Sequence, residues 1–385
     1  MQDHGRTPAP AARRSGTSGW VIGHAAGAPI ILAPSWLIAA VVLTVFFAPT
    51  VRRLAPVLGD VATYTVALVF VVLLFVSVFL HELAHGLVAR AHGLRVHEFA
   101  ITLWGGHTSF AGTGATPRSS ALIAVVGPLT NLALAALAWV AAQALPMGLV
   151  GAVLYAAAFA NVFVGVFNLV PGLPLDGGRV LEAVVWRALE DRHRATVVAG
   201  WAGRVVAVAV VVWALGRPLL DGGRPSLFTV LWTVLVGGFL WNGATQAMTG
   251  SSAQRAVEGL SAARLARPAA VVPTTATLAD AQRAAQAAGA GHVVVLDDHG
   301  RPVAYVDPAA AGAVPSASYP VTPVLGVCVP LPPGAVVDAA ATGAVLAHEV
   351  NRVAPSSPVM ALVDAGRVTG LLFTRDVVAA LRPRT

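Results

Sequence analysis

Six stretches of this chain are apolar over a length that can cross a bilayer, whose hydrocarbon core takes about 20 residues of helix. They run from Pro29 to Phe47, Ala62 to Ala89, Ala121 to Leu145, Leu149 to Val170, Val197 to Leu215 and Leu227 to Met248. Arg204 interrupts the fifth, two turns in, where a long side chain can still extend to the headgroups. After about Gly250 the period changes. Ala276 to Ala288 predicts an amphipathic helix, His292 to Leu296 a strand, Asp297-Asp298-His299-Gly300 a turn and Pro302 to Val306 a second strand. The order recurs as helix Ala335 to Val350, strand Val359 to Val363, turn Asp364-Ala365-Gly366 and strand Val368 to Phe373, followed by a short helix. This is a degenerate repeat of an α/β unit, expected to pack as one soluble domain. The pattern thus divides the chain into a tail, 1–28, a membrane domain, 29–249, and a soluble domain, 250–385.

Composition narrows the class. Hydrophobic residues make up 56% of the 385 and charged residues only 11%, against about 25% charged in ordinary soluble domains; a wholly soluble or disordered chain is excluded. The net charge is +7 and all 25 basic residues are Arg. They are scattered between apolar runs, which is not the pattern of a nucleic-acid surface. The single cysteine, Cys328, excludes an intramolecular disulfide and a cysteine-based zinc cluster. Any metal must therefore use His and carboxylates. Arg13-Arg14 precedes a full-length apolar span without a clear A-x-A cleavage site, which reads as a retained anchor. With the N-terminus inside, ten Arg fall on the cytosolic side (6, 13, 14, 90, 95, 118, 179, 187, 192 and 194) and four outside (52, 53, 217 and 224). The bias predicts that both termini are cytosolic.

The second span ends His81-Glu82-Leu83-Ala84-His85. Residues four apart on a helix share a face, so both imidazoles can ligate one Zn²⁺, with Glu82 beside them as general base. Glu82 is the only acid between Ala62 and Ala89, and a carboxylate with two imidazoles in lipid is costly unless paired or metal-bound. The bland alternative is a polar helix end that has left the membrane. A third ligand should be a carboxylate or His from another apolar segment. The fourth span runs into Asn168-Leu169-Val170-Pro171-Gly172-Leu173-Pro174-Leu175-Asp176-Gly177-Gly178-Arg179, and Asp176 is the first acid after Glu98. Its prolines break the helix and its glycines allow close approach. Asp176 as N-cap of a following helix is compatible with that role.

These residues resemble the site-2 protease family of intramembrane zinc metalloproteases. The resemblance rests on His81 to His85, on Asn168 to Gly178, which looks like N-x-x-P-x-x-P-x-D-G-G, and on Gly127-Pro128-Leu129-Thr130-Asn131, similar to G-P-x-x-N. It covers the membrane half, most closely Ala62 to Arg179. It implies one Zn²⁺ held by His81, His85 and Asp176, with Glu82 as general base and Asn168 holding the scissile carbonyl or the tetrahedral oxyanion. Asn131 is a second polar group near the site or an interhelical hydrogen-bonding residue; Asn161, seven residues before Asn168, reads as structural. Val96 to Phe110 alternates as a strand around Trp104-Gly105-Gly106, and its edge would pair with an unwound substrate by β-addition. His107 reads as a solvated or gating residue outside the metal set.

The trailing repeat resembles the CBS pair that one bacterial and archaeal subgroup carries. Such pairs often bind an adenine nucleotide, for which Asp376 is the candidate ribose acceptor. Phe373 stands where a hydroxyl is usual, Thr374 comes one place late, and Ala304 to Pro308 lacks the pattern, so a dimerisation or docking module is an equal reading. The expected fold is a polytopic α-helical membrane protein of about six transmembrane helices with a C-terminal soluble α/β CBS-pair domain. The expected activity is zinc-dependent intramembrane proteolysis in a bacterial plasma membrane. Its substrate is expected to be a single-span protein such as an anti-sigma factor or a signal-peptide remnant, and homodimerisation through the CBS pair is a further expectation. The rival classes are a CBS-gated transport protein and a catalytically silent membrane scaffold.

Overall fold

A computed structural model describes residues 17–103, 105–111, 115–146 and 148–381. Arg6, Arg13, Arg14 and Trp104 lie outside the described residues. The chain divides into two compact units, Met1–Met248 and Thr249–Thr385.

The first unit opens with strands β1 (Trp20–Ala25) and β2 (Ala28–Leu32), followed by helices α1 (Ser35–Leu54) and α2 (Asp60–Ala91). A hairpin follows, β3 (Arg95–Thr102) and β4 (Gly105–Ala111), then α3 (Pro117–Gln143), α4 (Leu149–Asn168), α5 (Asp176–Leu189), α6 (Arg192–Leu220) and α7 (Leu227–Glu258), whose last turns, from Thr249, belong to the second unit. Six of these helices, α1 to α4, α6 and α7, are long and apolar enough to cross a membrane. The protein is therefore a polytopic α-helical membrane protein. Helix α1 begins at Ser35, six residues later than the expected span start at Pro29. The β-branched run Pro29-Ile30-Ile31-Leu32 is taken up by a sheet instead, with β2 antiparallel to β1 and parallel to β3. The sheet order is β1-β2-β3-β4, leaving β4 at an edge.

Pro171, Gly172 and Pro174 end α4 and start α5, and Asp176 is the first residue of α5 behind Leu175 as N-cap. That departs from the expected N-cap role, yet a carboxylate in the first turn still faces the positive end of the helix. The turn is anchored on α6 by Leu173 N–H donating to Ala199 O at 3.0 Å. It also lies directly against two glycines. A Cβ on Gly243 would fall 2.5 Å from Pro174 Cγ, and one on Gly203 would overlap the Leu173 carbonyl oxygen.

The second unit contains α8 (Ala262–Leu265), β5 (Arg267–Pro273), α9 (Leu278–Ala288), β6 (His292–Leu296), β7 (Pro302–Val306) and α10 (Pro308–Gly312). It continues with β8 (Cys328–Pro330), β9 (Val336–Asp338), α11 (Gly343–Val353), β10 (Val359–Asp364), β11 (Arg367–Phe373) and α12 (Thr374–Leu381). The repeat is plain in the pairing. β5 is parallel to β6, which is antiparallel to β7; β9 is parallel to β10, which is antiparallel to β11. The start of β5 crosses to β11 and β8 crosses to β7, so each repeat contributes backbone to the other and one seven-stranded sheet results. Helix α9 starts on a reciprocal Thr277–Asp280 capping box and ends at Gly289 with φ +58°. Helix α11 begins at Gly343, later than the expected Ala335, because Val336–Asp338 pairs with β10. The C-terminal region is thus an α/β unit resembling a CBS pair, with a core around Leu346, Met360, Leu371 and Leu372.

Burial pushes the Cys328 thiol up to about 11, and its Sγ–H donates to Val324 O at 3.0 Å. At pH 8 alkylation of this sole cysteine is expected to run about 100-fold slower in the folded protein than in denaturant, and to quicken about tenfold per pH unit up to pH 10. Rates of iodoacetamide labelling check this, and a native rate within threefold of the denatured one would refute it.

Candidate metal centre

Helix α2 places His81 and His85 on one face, both buried, with their Nε2 atoms 3.0 Å apart. The tautomers follow from two backbone carbonyls. His85 Nδ1 lies 2.6 Å from Ile123 O, which only accepts, so Nδ1 carries the proton. His81 Nδ1 lies 2.5 Å from Asn131 Oδ1, and the orientation of that amide is set further along. Asn161 Nδ2 donates to Ala157 O at 2.9 Å and to Ser77 Oγ at 3.1 Å. Its Oδ1 must then accept from Asn131 Nδ2, at 2.9 Å, and Asn131 is left to accept from His81. Ser77 ends the relay by donating to Leu73 O at 3.0 Å. Both imidazoles therefore turn a bare Nε2 lone pair toward the same point.

Asp176 arrives from α5, its Oδ2 3.0 Å from His81 Nε2 and 3.4 Å from His85 Nε2. Oδ2 is a buried oxygen that accepts no hydrogen bond. Three electron-pair donors thus converge with no donor among them, an arrangement that calls for a cation. The donor set, two neutral imidazoles and a carboxylate, suits Zn²⁺ and leaves a fourth position for a reactant. Donors on a tetrahedron at about 2.0–2.2 Å stand about 3.3 Å apart, the range seen here. Gly127 of α3 keeps that point clear: a Cβ there would lie 2.5 Å from His85 Nε2 and 2.6 Å from His81 Nε2.

Glu82 stands beside the pair and is fixed by the sheet. Thr108 on β4 donates its hydroxyl to Glu82 Oε2 at 2.8 Å, with the Glu82 backbone oxygen at 3.0 Å. Gly106 lets β4 close on the glutamate stem, since a Cβ there would meet Glu82 Cγ at 2.5 Å. Glu82, His85 and Asp176 share one cavity of about 250 Å³, walled by Gly106, His107 and Thr108 of β4 and by Arg179, Glu182 and Trp186 of α5. Its interior is thus bounded by the zinc site on one side and a strand edge on the other.

The remaining expected residues fall elsewhere. Asn168 is the last residue of α4, half-buried, and does not line this cavity. His107 borders the cavity with its side chain 52% exposed, 3.7 Å from Glu98 Oε1, and stays outside the ligand set. Asp376 accepts two hydrogen bonds from Arg267, at 3.0 and 3.1 Å. Sequence reasoning missed Thr108 and Ser77 and took Asn161 as merely structural. The signal for Asn161 was present: a carboxamide inside an apolar helix is costly unless it bonds across helices. For Thr108 there was only the strand alternation.

Replacing Asn131 with Ala is expected to weaken zinc binding about 10–100-fold, and Asn161→Ala, which touches no ligand, about tenfold. Gly127→Ala should abolish binding. Competition with a chromogenic chelator measures all three; unchanged affinity in Asn161→Ala would show that the relay does not orient His81.

The family and sequence comparisons point the same way. The model of Peptidase family M50 matches residues 69–148 and 142–212. The protein Rip3 of Mycobacterium tuberculosis, which bears the name of a zinc metalloprotease, is 37% identical over 193 residues, 49% of this chain and 48% of that protein. The chain thus spans about half the length of the curated relative it matches. A solved site-2 protease from Methanocaldococcus jannaschii is 24% identical, covering 60% of this chain and 95% of that one with a TM-score of 0.42. A CBS domain of a membrane protein from Sphaerobacter thermophilus is 16% identical over 37% of this chain and 99% of that one, with a TM-score of 0.28. Residues 69–212, which contain His81, Glu82, His85 and Asp176, are thus the part of the chain that is similar to Peptidase family M50.

Proposed function

We propose that this protein is a zinc-dependent intramembrane endopeptidase that hydrolyses a peptide bond in or near a transmembrane helix of a membrane-anchored substrate. The observation that carries this reading is the convergence of three bare donor atoms beside a carboxylate already oriented for proton transfer. Zn²⁺ held by His81, His85 and Asp176 would supply Lewis-acid polarisation of a water molecule and of the scissile carbonyl. The chain does the rest. Glu82 takes the proton of the attacking water and delivers it to the leaving amine. Thr108 holds one Glu82 oxygen by donating to it, which leaves the other oxygen for the water. The relay through Asn131 and Asn161 holds the His81 ring against rotation.

A helical substrate must unwind before its carbonyls are reachable, because they are hydrogen-bonded along the helix. The free edge of β4, whose residues Gly106 to Thr108 face the cavity, supports backbone pairing with the unwound segment. A single-span protein, such as an anti-sigma factor or a signal-peptide remnant, is the substrate class that such a site suits. Six spans among the described residues would put both ends of the membrane domain on one side. The Arg-rich segments around Arg90, Arg95, Arg118 and Arg179 to Arg194 support that side being the cytosol of a bacterial plasma membrane. An adenine nucleotide at the C-terminal pair stands outside this proposal, since Arg267 already occupies the Asp376 carboxylate.

In purified protein incubated with a single-span substrate, Glu82→Gln is expected to lower cleavage by about 10²–10⁴-fold while zinc stays bound. Asp176→Asn should lose zinc and cleavage together. Cleavage that persists in Glu82→Gln would refute the assignment.

A further inference from the structure

Among the described residues, Arg204 of α6 is the one cation set within an apolar span that the proposed chemistry leaves unused. Its guanidinium lies between two indoles, 4.8 Å from the ring centres of both Trp201 on α6 and Trp241 on α7. Nη2 donates to Thr245 Oγ1 at 3.0 Å, while Nε is buried without a hydrogen-bond partner. Among the described residues no carboxylate lies within ion-pairing distance of it. Arg217 on the same helix, by contrast, binds Asp221 at 3.1 Å. The charge at Arg204 is left uncompensated by the protein.

Its depth makes that matter. Arg204 and Arg217 are separated by 13 residues of α6, about 20 Å along the axis, whereas the hydrocarbon core is about 30 Å thick. If Arg217 reaches one headgroup layer, Arg204 falls about 10 Å short of the other. An unpaired guanidinium at that level draws a headgroup inward by local thinning. Both indoles flank it at that level and are about half exposed. Trp241 and Thr245 sit where α7 turns from its apolar run, Leu227 to Leu240, to polar positions.

We propose that Arg204, with Thr245 and the flanking faces of Trp201 and Trp241, forms a binding site for the phosphodiester of an anionic phospholipid. A single net negative charge balances the cation, and the planar guanidinium presents paired N–H groups to phosphate oxygens. The lipid would also be placed against the metal centre's support. Gly203 and Gly243, one and two residues from Arg204 and Trp241, are the glycines on which the Leu173–Pro174 turn rests, and that turn leads to Asp176. A lipid held here therefore sets the level of the zinc site in the bilayer. This inference is independent of the protease reading.

The test is native mass spectrometry of the full-length protein, delipidated in neutral detergent and titrated with phosphatidylglycerol, phosphatidylcholine or inorganic phosphate. The wild-type protein is expected to retain one phosphatidylglycerol with about fivefold preference over phosphatidylcholine. Arg204→Gln should lose that preference, and Arg217→Gln should keep it. Arg204→Lys retains the charge but not the flat guanidinium; it should lose most of the preference and decides the matter if the Gln variant does not fold. The proposal is overturned if either Arg204 variant keeps the wild-type preference, if Arg217→Gln loses it equally, or if millimolar inorganic phosphate displaces the lipid.

Discussion

The membrane unit depends on three lone pairs being held toward one point by groups that cannot turn away. The Ile123 and Ala157 carbonyls are helix backbone, fixed as acceptors, and each dictates the state of an imidazole, one directly and one through two carboxamides. Left to themselves, His81, His85 and Asp176 would relieve their repulsion by rotating or by taking up a proton. The surrounding bonds forbid the first, so the three groups are held together as a cation would need them. The polar groups of α2, α3 and α4 bury at tolerable cost only because each satisfies the next, and the same satisfaction locks the helices in register.

Close backbone approach is the second condition, and it explains why glycines recur where the elements meet. Gly127 clears the point of convergence, Gly106 lets β4 reach the Glu82 stem, and Gly203 with Gly243 receive the Leu173–Pro174 turn. None of these can acquire a Cβ without moving His81, His85 or Glu82, or the turn that leads to Asp176. The broken segment between α4 and α5 would expose unpaired backbone to lipid if it stood alone. Packed against α6 and α7, and tied by Leu173 to Ala199 O, it becomes the arm that delivers Asp176.

Much of this was legible in the chain. A 20-residue apolar run has one fate in a bilayer, and His-x-x-x-His on a helix has one geometry, so spans and ligand pair follow from local rules. What stayed hidden depends on long-range partners. Pro29 to Leu32 looked like the start of a span because hydropathy does not distinguish a buried strand from a lipid-facing helix over four residues. Ala335 to Val350 likewise hid β9, which exists only because β10 lies beside it. Thr108 is one hydroxyl among several in an alternating segment, and only the fold brings it to Glu82. Asn161 was visible as an anomaly, but its partner lies 30 residues away on another helix.

The C-terminal unit shows the same dependence on partners at its repeat junction. Phe373 and Asp376 stand where a nucleotide-binding pair would be expected to present a hydroxyl and a free carboxylate. Here Arg267 from β5 bonds Asp376 and lies 4.9 Å from the centre of the Phe373 ring, and Arg375 stacks at the same distance. Burial, with Arg267 and Arg375 nearby, lowers the His292 pKa, so the imidazole beside Phe373 is neutral at physiological pH and adds no charge to the cluster. Because Arg267 opens the strand that crosses from β11 to β6, the pair clasps the two repeats where few backbone bonds join them. Such a half-exposed ion pair contributes at most about 1 kcal/mol by itself; its effect is to set the register of the crossing strand. In this chain the aspartate that the repeat offers to a ligand is used to hold the repeats together.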